Sequence, residues 1–513
     1  AEAIENAVRF ARQAIPDQAL VAYELGRTLS PTGGVNRAVC RVVDGLLMDT
    51  EEVTGLQAEG ACVRDDQGRA RPMDTLVSMN LWVFRGRMRE VFTACFAGHD
   101  RARGEFGLPH VVRAAMAQGV RFQVLPTAEQ WCGLTHPGDR PAVMAALRER
   151  VSGEERAMIH AVLQAYGHRA GCYAVRHLGN GLINTTYRID HADGNVQVLQ
   201  RINTHVFPHP ERIARNMRAA HTHLQERGAA SLVLLPVRTV QGDDLCVHPE
   251  HGTWRVFPYV ADSTTYEAPA TPTRARAAAA AFGALTAALA TADVSNFHEV
   301  LPGFHHIDRR YTELREAEAS ADPLRRVSGQ PVFVGLQARA HWVAVFRGLV
   351  EAEDVPLRLV HNDTKLSNVL FRVGTDDAVQ VIDLDTLMPG YALFDLGDML
   401  RTYLPSLPED EPDTDGLVLG EDVFRAVLEG WCGAMLPVLS ATERAHLYAA
   451  GALLLFEQAV RFLTDHFRGD VYYRITRAGH NLDRARNQLA VLQRYEAARP
   501  RFEVIVAEVL GAA

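Results

Sequence analysis

The chain has 513 residues, of which 47% are hydrophobic and 22% charged. This composition predicts a folded protein of two or three domains and excludes wholesale disorder. The formal net charge of −9 argues against a protein that binds nucleic acid or an anionic membrane by electrostatic attraction.

Strand and helix patterns alternate over the first 150 residues. Apolar runs predict strands at 19–23 and 75–84 and a helix at 141–151, with turn-forming clusters at 31–34 and 65–68. We therefore expect a first domain over residues 1–152, followed by a boundary at 152–170.

Short strands dominate the pattern from Cys172 onward. They are predicted at 173–178, 186–190, 196–202, 232–237 and 253–259. Helical periodicity follows from Thr271 and includes an alanine-rich packed helix at 277–292, with one strand-rich island at 357–384. We expect a strand-rich lobe over residues 171–262 and a helical lobe over residues 263–513.

The island at 357–384 places polar residues at the ends of two apolar strands. Phosphoryl transfer needs a carboxylate that accepts the proton of the attacking hydroxyl, an amide oxygen and a second carboxylate that hold magnesium, and a cation that offsets developing charge. Asp363, Asn368, Asp383 and Lys365 can fill these roles in that order. We predict Asp363 and Lys365 as catalytic residues and Asn368 and Asp383 as Mg²⁺ ligands.

Lys365 is the only lysine in the chain, among 53 basic residues. A site that keeps lysine in such a chain needs a compact ammonium rather than a planar guanidinium. Asp363 and Asn368 are five residues apart, as in the catalytic loop of kinases, which this segment resembles. A purely structural loop between strands is the alternative, but it explains neither the matched asparagine nor the second acid-ended strand.

A glycine-containing segment at 177–187 lies between two predicted strands. Its glycines would let backbone N–H groups approach phosphates, so Gly179, Gly181 and Asn184 are nucleotide-binding candidates. Arg201 is the candidate cation for the phosphates, and the strand ending at Tyr259 is the candidate hinge, whose backbone would contact adenine. A tight hairpin turn and an exposed strand-edge arginine are the competing interpretations.

Longer stretches make the resemblance more specific. The segments 361–371, 382–390 and 394–402, together with 181–187, 199–204, 301–305, 461–465, 469–472 and 479–485, resemble bacterial N-acetylhexosamine 1-kinases. These belong to the aminoglycoside-phosphotransferase-like group. The resemblance implies an α+β, protein-kinase-like fold with two lobes, ATP and Mg²⁺ as cofactors, and phosphorylation of the anomeric hydroxyl of a hexosamine.

Polar residues of the C-terminal part are candidates for the wall of the sugar site, since hydroxyls are bound by acids, amides and arginines. They are Arg401, Arg461, Asp465, Tyr472, His480 and Asn481. Each could equally cap or bridge helices. Asp395 is expected to brace the backbone of the catalytic loop from a helix.

The first domain resembles the latter half of sugar-1-phosphate nucleotidyltransferases, through the segments 26–30, 77–84, 105–109 and 124–127 with Trp131. That family opens with a glycine-rich triphosphate loop and a lysine, and neither is found in residues 1–150. We expect a truncated or degenerate α/β domain without nucleotidyl transfer, which could still bind sugar through Asn80 and Glu105.

Two alternatives remain open for the function. One is a kinase of another alcohol, of the aminoglycoside, homoserine or choline type, and the other is a non-catalytic regulator that binds nucleotide or sugar. The expected partners are a small sugar and a nucleotide, with neither nucleic acid nor membrane. Seven scattered cysteines without CxxC spacing and the lack of a secretory leader pattern predict reduced thiols in a cytoplasmic protein.

Overall fold

The computed structural model describes residues 2–511, except 13–14, 16, 31–32, 61, 98–105, 107, 132–150, 180–182 and 268–269. Glu105, Gly181 and all but the last residue of the predicted helix at 141–151 therefore lie outside the described residues. The chain divides into two compact units, residues 1–150 and 151–513.

The first unit is built on a seven-stranded sheet. Its strands are β1 (Gln18–Glu24), β2 (Val35–Val43), β3 (Leu46–Glu59), β4 (Cys62–Arg64), β5 (Ala70–Pro72), β6 (Leu76–Val83) and β7 (Phe122–Thr127), and its described helices are α1 (Glu2–Ala11), α2 (Arg87–Ala97) and α3 (Leu108–Ala117). The strand order is β2-β6-β1-β7-β3-β4-β5, in which β1 pairs in parallel with β7 and antiparallel with β6.

The alternation of β1 explains the layers of this unit. Leu20 and Ala22 pack with α2 and α3, whereas Val21 and Tyr23 pack with α1. Because successive strand residues point to opposite faces, a strand apolar at every position is buried on both sides. The predicted strands at 19–23 and 75–84 are confirmed, and the mixed α/β layering follows from them.

The second unit begins with α4 (Gly153–Gln164), which packs on a five-stranded antiparallel sheet. The strands are β8 (Tyr173–His177), β9 (Thr185–His191), β10 (Val196–Arg201), β11 (Cys246–His248) and β12 (Gly252–Pro258), in the order β11-β12-β10-β9-β8, and α5 (Pro210–Gln225) follows β10. Ser152 and Glu155 form a capping box that starts α4, as the Ser-x-x-Glu pattern favours. This helix lies in the predicted boundary region at 152–170, where no element was expected.

The predicted strand at 232–237 is wrong. Residues 230–232 form a 3₁₀ turn, and only Val237 makes a bridge, to Val256. The apolar run contains Pro236, which has no N–H to donate to a neighbouring strand.

The remainder of the unit is mainly helical and encloses small strand pairs. The helices are α6 (Pro272–Leu289), α7 (Ile307–Ser320), α8 (Pro323–Gln337), α9 (His341–Val350), α10 (Ala392–Tyr403), α11 (Glu421–Met435), α12 (Ala441–Ala445), α13 (Leu447–Phe467), α14 (His480–Ala497) and α15 (Arg499–Gly511). The strands are β13 (Ser263–Thr264), β14 (Arg358–Val360), β15 (Val369–Arg372), β16 (Ala378–Val381) and β17 (Met388–Gly390). Among the described helices, α13 alone is long and apolar enough to cross a membrane, and 83% of its most apolar window is buried inside the protein, as in a core helix.

A glycine sets the contact between α10 and α13. A Cβ on Gly397 would overlap the carbonyl oxygen of Ala450, whereas a Cβ on Gly433 of α11 would meet no atom within 4 Å. We expect Gly397→Ala to lower the free energy of unfolding by roughly 1–3 kcal/mol through overpacking. Gly433→Ala should raise it by about 0.5–1 kcal/mol, because alanine has the higher helix propensity.

Chemical denaturation of both variants checks this pair. Equal effects of the two substitutions would contradict a close α10–α13 contact at Gly397.

Candidate functional site

The loop after β14 holds the predicted base, Asp363. Its carboxylate accepts hydrogen bonds from Lys365 Nζ at 2.9 Å and from Asn368 Nδ2 at 3.0 Å. Burial opposes the charge on Asp363, but the ammonium of Lys365 lowers the pKa of this carboxyl below its ordinary value. The same pairing raises the pKa of Lys365, so this solitary lysine stays charged beside the carboxylate.

Helix α10 braces the backbone of this loop. Both oxygens of Asp395, which is fully buried, accept backbone N–H groups, at 3.0 Å from His361 and at 2.7 Å from Asn362. The hydroxyl of Tyr403 donates to the carbonyl of Thr364 at 2.7 Å. The expected bracing role of Asp395 is confirmed by these bonds, which pin the loop on either side of Asp363.

The end of β16 places two carboxylates next to the loop. The backbone N–H of Ile382 donates to the carbonyl of Asn368 at 2.9 Å, and Asp383 follows in the left-handed conformation with φ 61°. Burial and the nearby charge of Asp385 raise the pKa of Asp383 to about 6. The carboxylates of Asp383 and Asp385 therefore repel each other.

Asp385 joins the strand-rich part to the loop region. It accepts a hydrogen bond from Asn184 Nδ2 at 2.7 Å and forms an ion pair with Arg255 Nη2 at 2.5 Å. The Asn184 side chain is predicted to bind nucleotide, and the structure places it against this acid. Arg255 is 2% exposed and also donates to Gln200 Oε1.

Arg255, and not Arg201, is the cation on the face of the sheet that carries Asp385. Leu199, Trp254 and Val256 pack with α4 on the opposite face. Arg201 shares the face of Leu199 because side chains alternate along β10, and its guanidinium lies 5.7 Å from the Trp254 ring centroid. This placement does not support Arg201 as the cation for the phosphates, and Arg255 is the arginine on the side of Asp385.

Gly179 and Tyr259 are the remaining nucleotide candidates among the described residues. Gly179 has φ 69°, the left-handed conformation that glycine adopts without strain, and Gly181 lies outside the described residues. Tyr259 donates its N–H to the carbonyl of Val196 at 3.2 Å, and its ring lies 4.4 Å from the guanidinium of Arg188. This N–H is already used within the sheet, and the hinge role of the strand stays a prediction.

A layer of charged and aromatic residues lies beside the loop. Arg401 bonds Asp398 Oδ1 through Nε at 3.0 Å and also pairs with Glu409. The Arg461 guanidinium lies 4.8 Å from the Phe304 ring centroid and 5.7 Å from that of Tyr473. Tyr472, Tyr473, Glu457 and Arg401 all act on the pKa of Arg461, so these side chains lie close together. Arg461 in turn helps to lower the pKa of Glu457.

Two predicted sugar-wall residues have other contacts. Asp465 accepts the N–H groups of residues 471, 472 and 473 and a hydrogen bond from Asn481 Nδ2. Those four bonds occupy both oxygens, so Asp465 holds the loop that carries Tyr472 and the wall prediction for it is corrected. His480 contacts Thr476 and Asp410, and Tyr472 is 57% exposed.

The oxygen groups at the loop and at the end of β16 suit a hard divalent cation. Asn368 directs its amide nitrogen to Asp363, so its amide oxygen is the atom that could bind a cation. Mg²⁺ prefers carboxylate and carbonyl oxygens and is usually bound by one or two protein carboxylates plus substrate phosphates. A cation here would also relieve the repulsion between Asp383 and Asp385. Within the described residues no group of three His, Cys, Asp or Glu side chains has the spacing of a closed metal site, and an open two-ligand site needs none.

Asp383→Asn is expected to stabilise the metal-free protein. The folded pKa of about 6 lies above the ordinary 3.8. Ionisation of Asp383 therefore lowers the stability of the folded protein as pH rises from about 4 through 6. Asparagine keeps the shape and tolerates a positive φ. We expect a higher Tm at pH 8 and a gain that shrinks below pH 6, measured by thermal melts with chelator. An equal gain at pH 5 and pH 8 would contradict a raised pKa.

Sequence reasoning missed Arg255, Asp398, His305 and Glu457. A charged residue in the apolar run Trp254–Phe257 was an available signal for Arg255. Asp398 Oδ2 and Glu457 Oε1 are buried without a hydrogen-bond partner among the described residues, which only coordinates reveal.

The second unit matches the model of a known protein family. The model of the phosphotransferase enzyme family (APH) matches residues 174–429. The chain is similar to the amicoumacin kinase hAmiN, with 17% identity, 68% of this chain and 96% of that chain covered, and a TM-score of 0.46.

Two further solved structures are similar. They are a microcompartment-associated aminopropanol kinase, with 18% identity, 67% and 98% coverage and a TM-score of 0.46, and an ethanolamine kinase of Plasmodium vivax, with 11% identity, 71% and 98% coverage and a TM-score of 0.45. Kinases of the matched family use ATP with a divalent metal ion, which confirms the predicted cofactors at that level.

Proposed function

Because residues 174–429 form a domain of the phosphotransferase enzyme family, we propose that this protein transfers the γ-phosphate of ATP to the anomeric hydroxyl of an N-acetylhexosamine. The single observation that supports catalysis is the convergence of Asp363, Lys365 and Asn368 beside Asp383. A carboxylate kept ionised by an ammonium and an amide is the acceptor that a hydroxyl proton needs.

The proposed roles follow from these contacts. Asp363 accepts the proton of the sugar hydroxyl while the sugar oxygen bonds to the γ-phosphorus. Lys365 offsets the negative charge that develops nearby. Asn368 and Asp383 would hold Mg²⁺, and the ion pair of Asp385 with Arg255 lies close to Asp383. When bound, ATP supplies the transferable phosphoryl group, and Mg²⁺ neutralises part of its negative charge. ADP leaves with the electrons of the broken phosphorus–oxygen bond.

The charge balance beside the loop supports a neutral acceptor. The acids Asp398 and Glu409 are both paired with Arg401, and Arg461 is close to Arg401. A polycationic aminoglycoside or a choline-like cation would meet arginines there, whereas sugar hydroxyls can both donate to the acids and accept from the arginines. Phe304 and Tyr473 provide apolar faces for a ring.

A panel of acceptors tests the proposal. The protein is incubated with ATP, Mg²⁺ and N-acetylglucosamine, N-acetylgalactosamine, an aminoglycoside, homoserine, choline or ethanolamine, and ADP release is measured. We expect turnover with an N-acetylhexosamine and an acid-labile product, since a sugar 1-phosphate hydrolyses in mild acid. Turnover only with an amino alcohol, or an acid-stable product, would contradict the sugar assignment. Nucleotide binding without any turnover would favour a regulator.

For the first unit we propose a nucleotidyltransferase-like domain that lacks nucleotidyl transfer activity. Asn80, with φ 60°, lies in β6, and its N–H donates to Ser78 Oγ at 3.2 Å. The other predicted sugar contact, Glu105, lies outside the described residues. The test is to incubate the protein with a nucleoside triphosphate and a sugar 1-phosphate and to measure pyrophosphate. We expect no release of pyrophosphate.

A further inference from the structure

His305 links helix α13 to the loop that carries the proposed base. Its Nδ1 lies 2.8 Å from Glu457 Oε2, and its Nε2 lies 3.1 Å from the carbonyl oxygen of Asn362. The side chains of His305 and Glu457 are 7% and 1% exposed. The two bonds join residues that are 152 and 57 positions from His305 in the chain.

Both partners of the ring can only accept hydrogen bonds when Glu457 is ionised. A carbonyl oxygen never donates, and an ionised carboxylate has no proton. Each ring nitrogen must then carry a hydrogen, which makes His305 an imidazolium. Burial opposes this charge, but Glu457 raises the pKa of His305 above its ordinary value, and His305 in turn helps to lower the pKa of Glu457.

The surroundings of the pair are otherwise aromatic or cationic. Arg461 of α13 and Arg310 of α7 help to lower the pKa of Glu457, whereas Arg461 opposes the protonation of His305. The rings of Phe304 and Phe394 lie 4.5 Å and 5.5 Å from the imidazole by centroid. Glu457 is thus the acid on which the protonation of His305 depends.

We propose that the His305–Glu457 pair positions the catalytic loop, by donating a charged hydrogen bond to the carbonyl of Asn362, the residue directly before Asp363. This inference rests on the proposed function and extends it with a positioning residue. Asn362 has φ 64°, a conformation that a non-glycine residue keeps only when its surroundings hold it. The bond from His305 fixes the direction of this peptide and with it the direction of Asp363.

Loss of the ring proton has a defined consequence. Neutral His305 keeps its Nδ1–H on the Glu457 carboxylate, and its bare Nε2 lone pair then faces the lone pairs of the Asn362 oxygen. The repulsion turns the peptide away, so kcat is expected to fall as pH rises above the raised pKa of His305. The KM for ATP is expected to change little, because none of these atoms lies among the nucleotide candidates.

Glu457→Gln separates this role from a merely structural one. Glutamine keeps the shape, and its amide can donate to Nδ1 of a neutral ring whose Nε2–H still bonds Asn362. The alkaline fall in kcat should therefore disappear in this variant. His305→Asn, which is too short to span both partners, should lower kcat by about 100-fold, while His306→Asn should stay within about twofold of the parent. His306 caps α7, and asparagine is a good N-cap.

The closing experiment compares kcat from pH 6 to 9.5 at saturating ATP and acceptor for the parent, Glu457→Gln and His306→Asn, together with ¹⁵N chemical shifts of the imidazole assigned through His305→Asn. Imidazolium shifts at pH 7 and an alkaline fall that only Glu457→Gln removes are expected. A neutral ring at pH 7, or the same fall in Glu457→Gln, overturns the inference. Failure of the parent to phosphorylate any acceptor contradicts the proposed function instead, and the ¹⁵N shifts still report the charge of His305.

Discussion

Asp363→Ala is expected to lower phosphoryl transfer by roughly 100- to 10,000-fold, the range that a general base contributes. The side chain is the carboxylate that Lys365 and Asn368 together orient, and no other described acid has both partners. KM for ATP should change far less than kcat, because Asp363 is proposed to act on the acceptor proton. The measurement is steady-state ADP release with the acceptor identified by the panel.

A matched control uses an aspartate outside the site. Asp377, whose side chain is 72% exposed, lies in the turn between β15 and β16, and Asp377→Ala should keep activity within about twofold. Circular dichroism and thermal melts should show that both variants fold. Near-normal turnover by folded Asp363→Ala would remove this residue from the catalytic role.

Arg255→Gln is expected to have the second largest effect, on stability and on turnover. It leaves Asp385 buried without its counter-charge, and breaking one partner of a buried ion pair costs about 3–5 kcal/mol. Arg255 also helps to lower the pKa of Asp383, so its loss should raise that pKa further above 6. A larger fraction of Asp383 is then protonated at neutral pH, and the loss of turnover should be greatest near pH 6 and smaller at pH 8.

Arg201→Gln is the matched control, since Arg201 is the neighbouring arginine on the other face of the same sheet. It should change the free energy of unfolding and kcat only slightly. Adding Asp385→Asn to Arg255→Gln should recover part of the stability, because residues in contact do not contribute independently. Urea denaturation and pH–rate profiles of these variants provide the measurements. A loss in Arg201→Gln equal to that in Arg255→Gln would reverse the assignment of the two arginines.

The loop around Asp363 was predictable because its geometry is local. Asp363, Lys365 and Asn368 lie within six consecutive residues, and a 3₁₀ turn at 366–368 returns the amide of Asn368 to Asp363. Short-range spacing alone brings these groups together, and the apolar runs before and after them indicate the supporting strands. The strands near 173–202 and 252–258 were predictable for the same reason, since the period of two is a property of each segment.

Tertiary packing decided the choice between Arg201 and Arg255. Both are arginines in strands that pair with each other, and the sequence does not say which face of the sheet α4 covers. Once Leu199, Trp254 and Val256 pack on α4, alternation directs Arg201 to that face and Arg255 to the face that meets Asp385. Likewise Asp465 could be a sugar ligand or a loop anchor by its type, and the folded loop at 471–473 settles its four hydrogen bonds.

The sequence by itself determined the residues whose partners are close in the chain: the carboxylate, ammonium and amide at 363–368 and the acids that end the following strand. Only the tertiary structure decided the partners that are distant in the chain, which are Arg255 with Asp385, Asn184 with Asp385, and His305 with Glu457 and Asn362. The physical reason is that a buried charge must be neutralised by whichever group the packing of helices and strands brings within about 3 Å, and that group has no fixed spacing in the sequence.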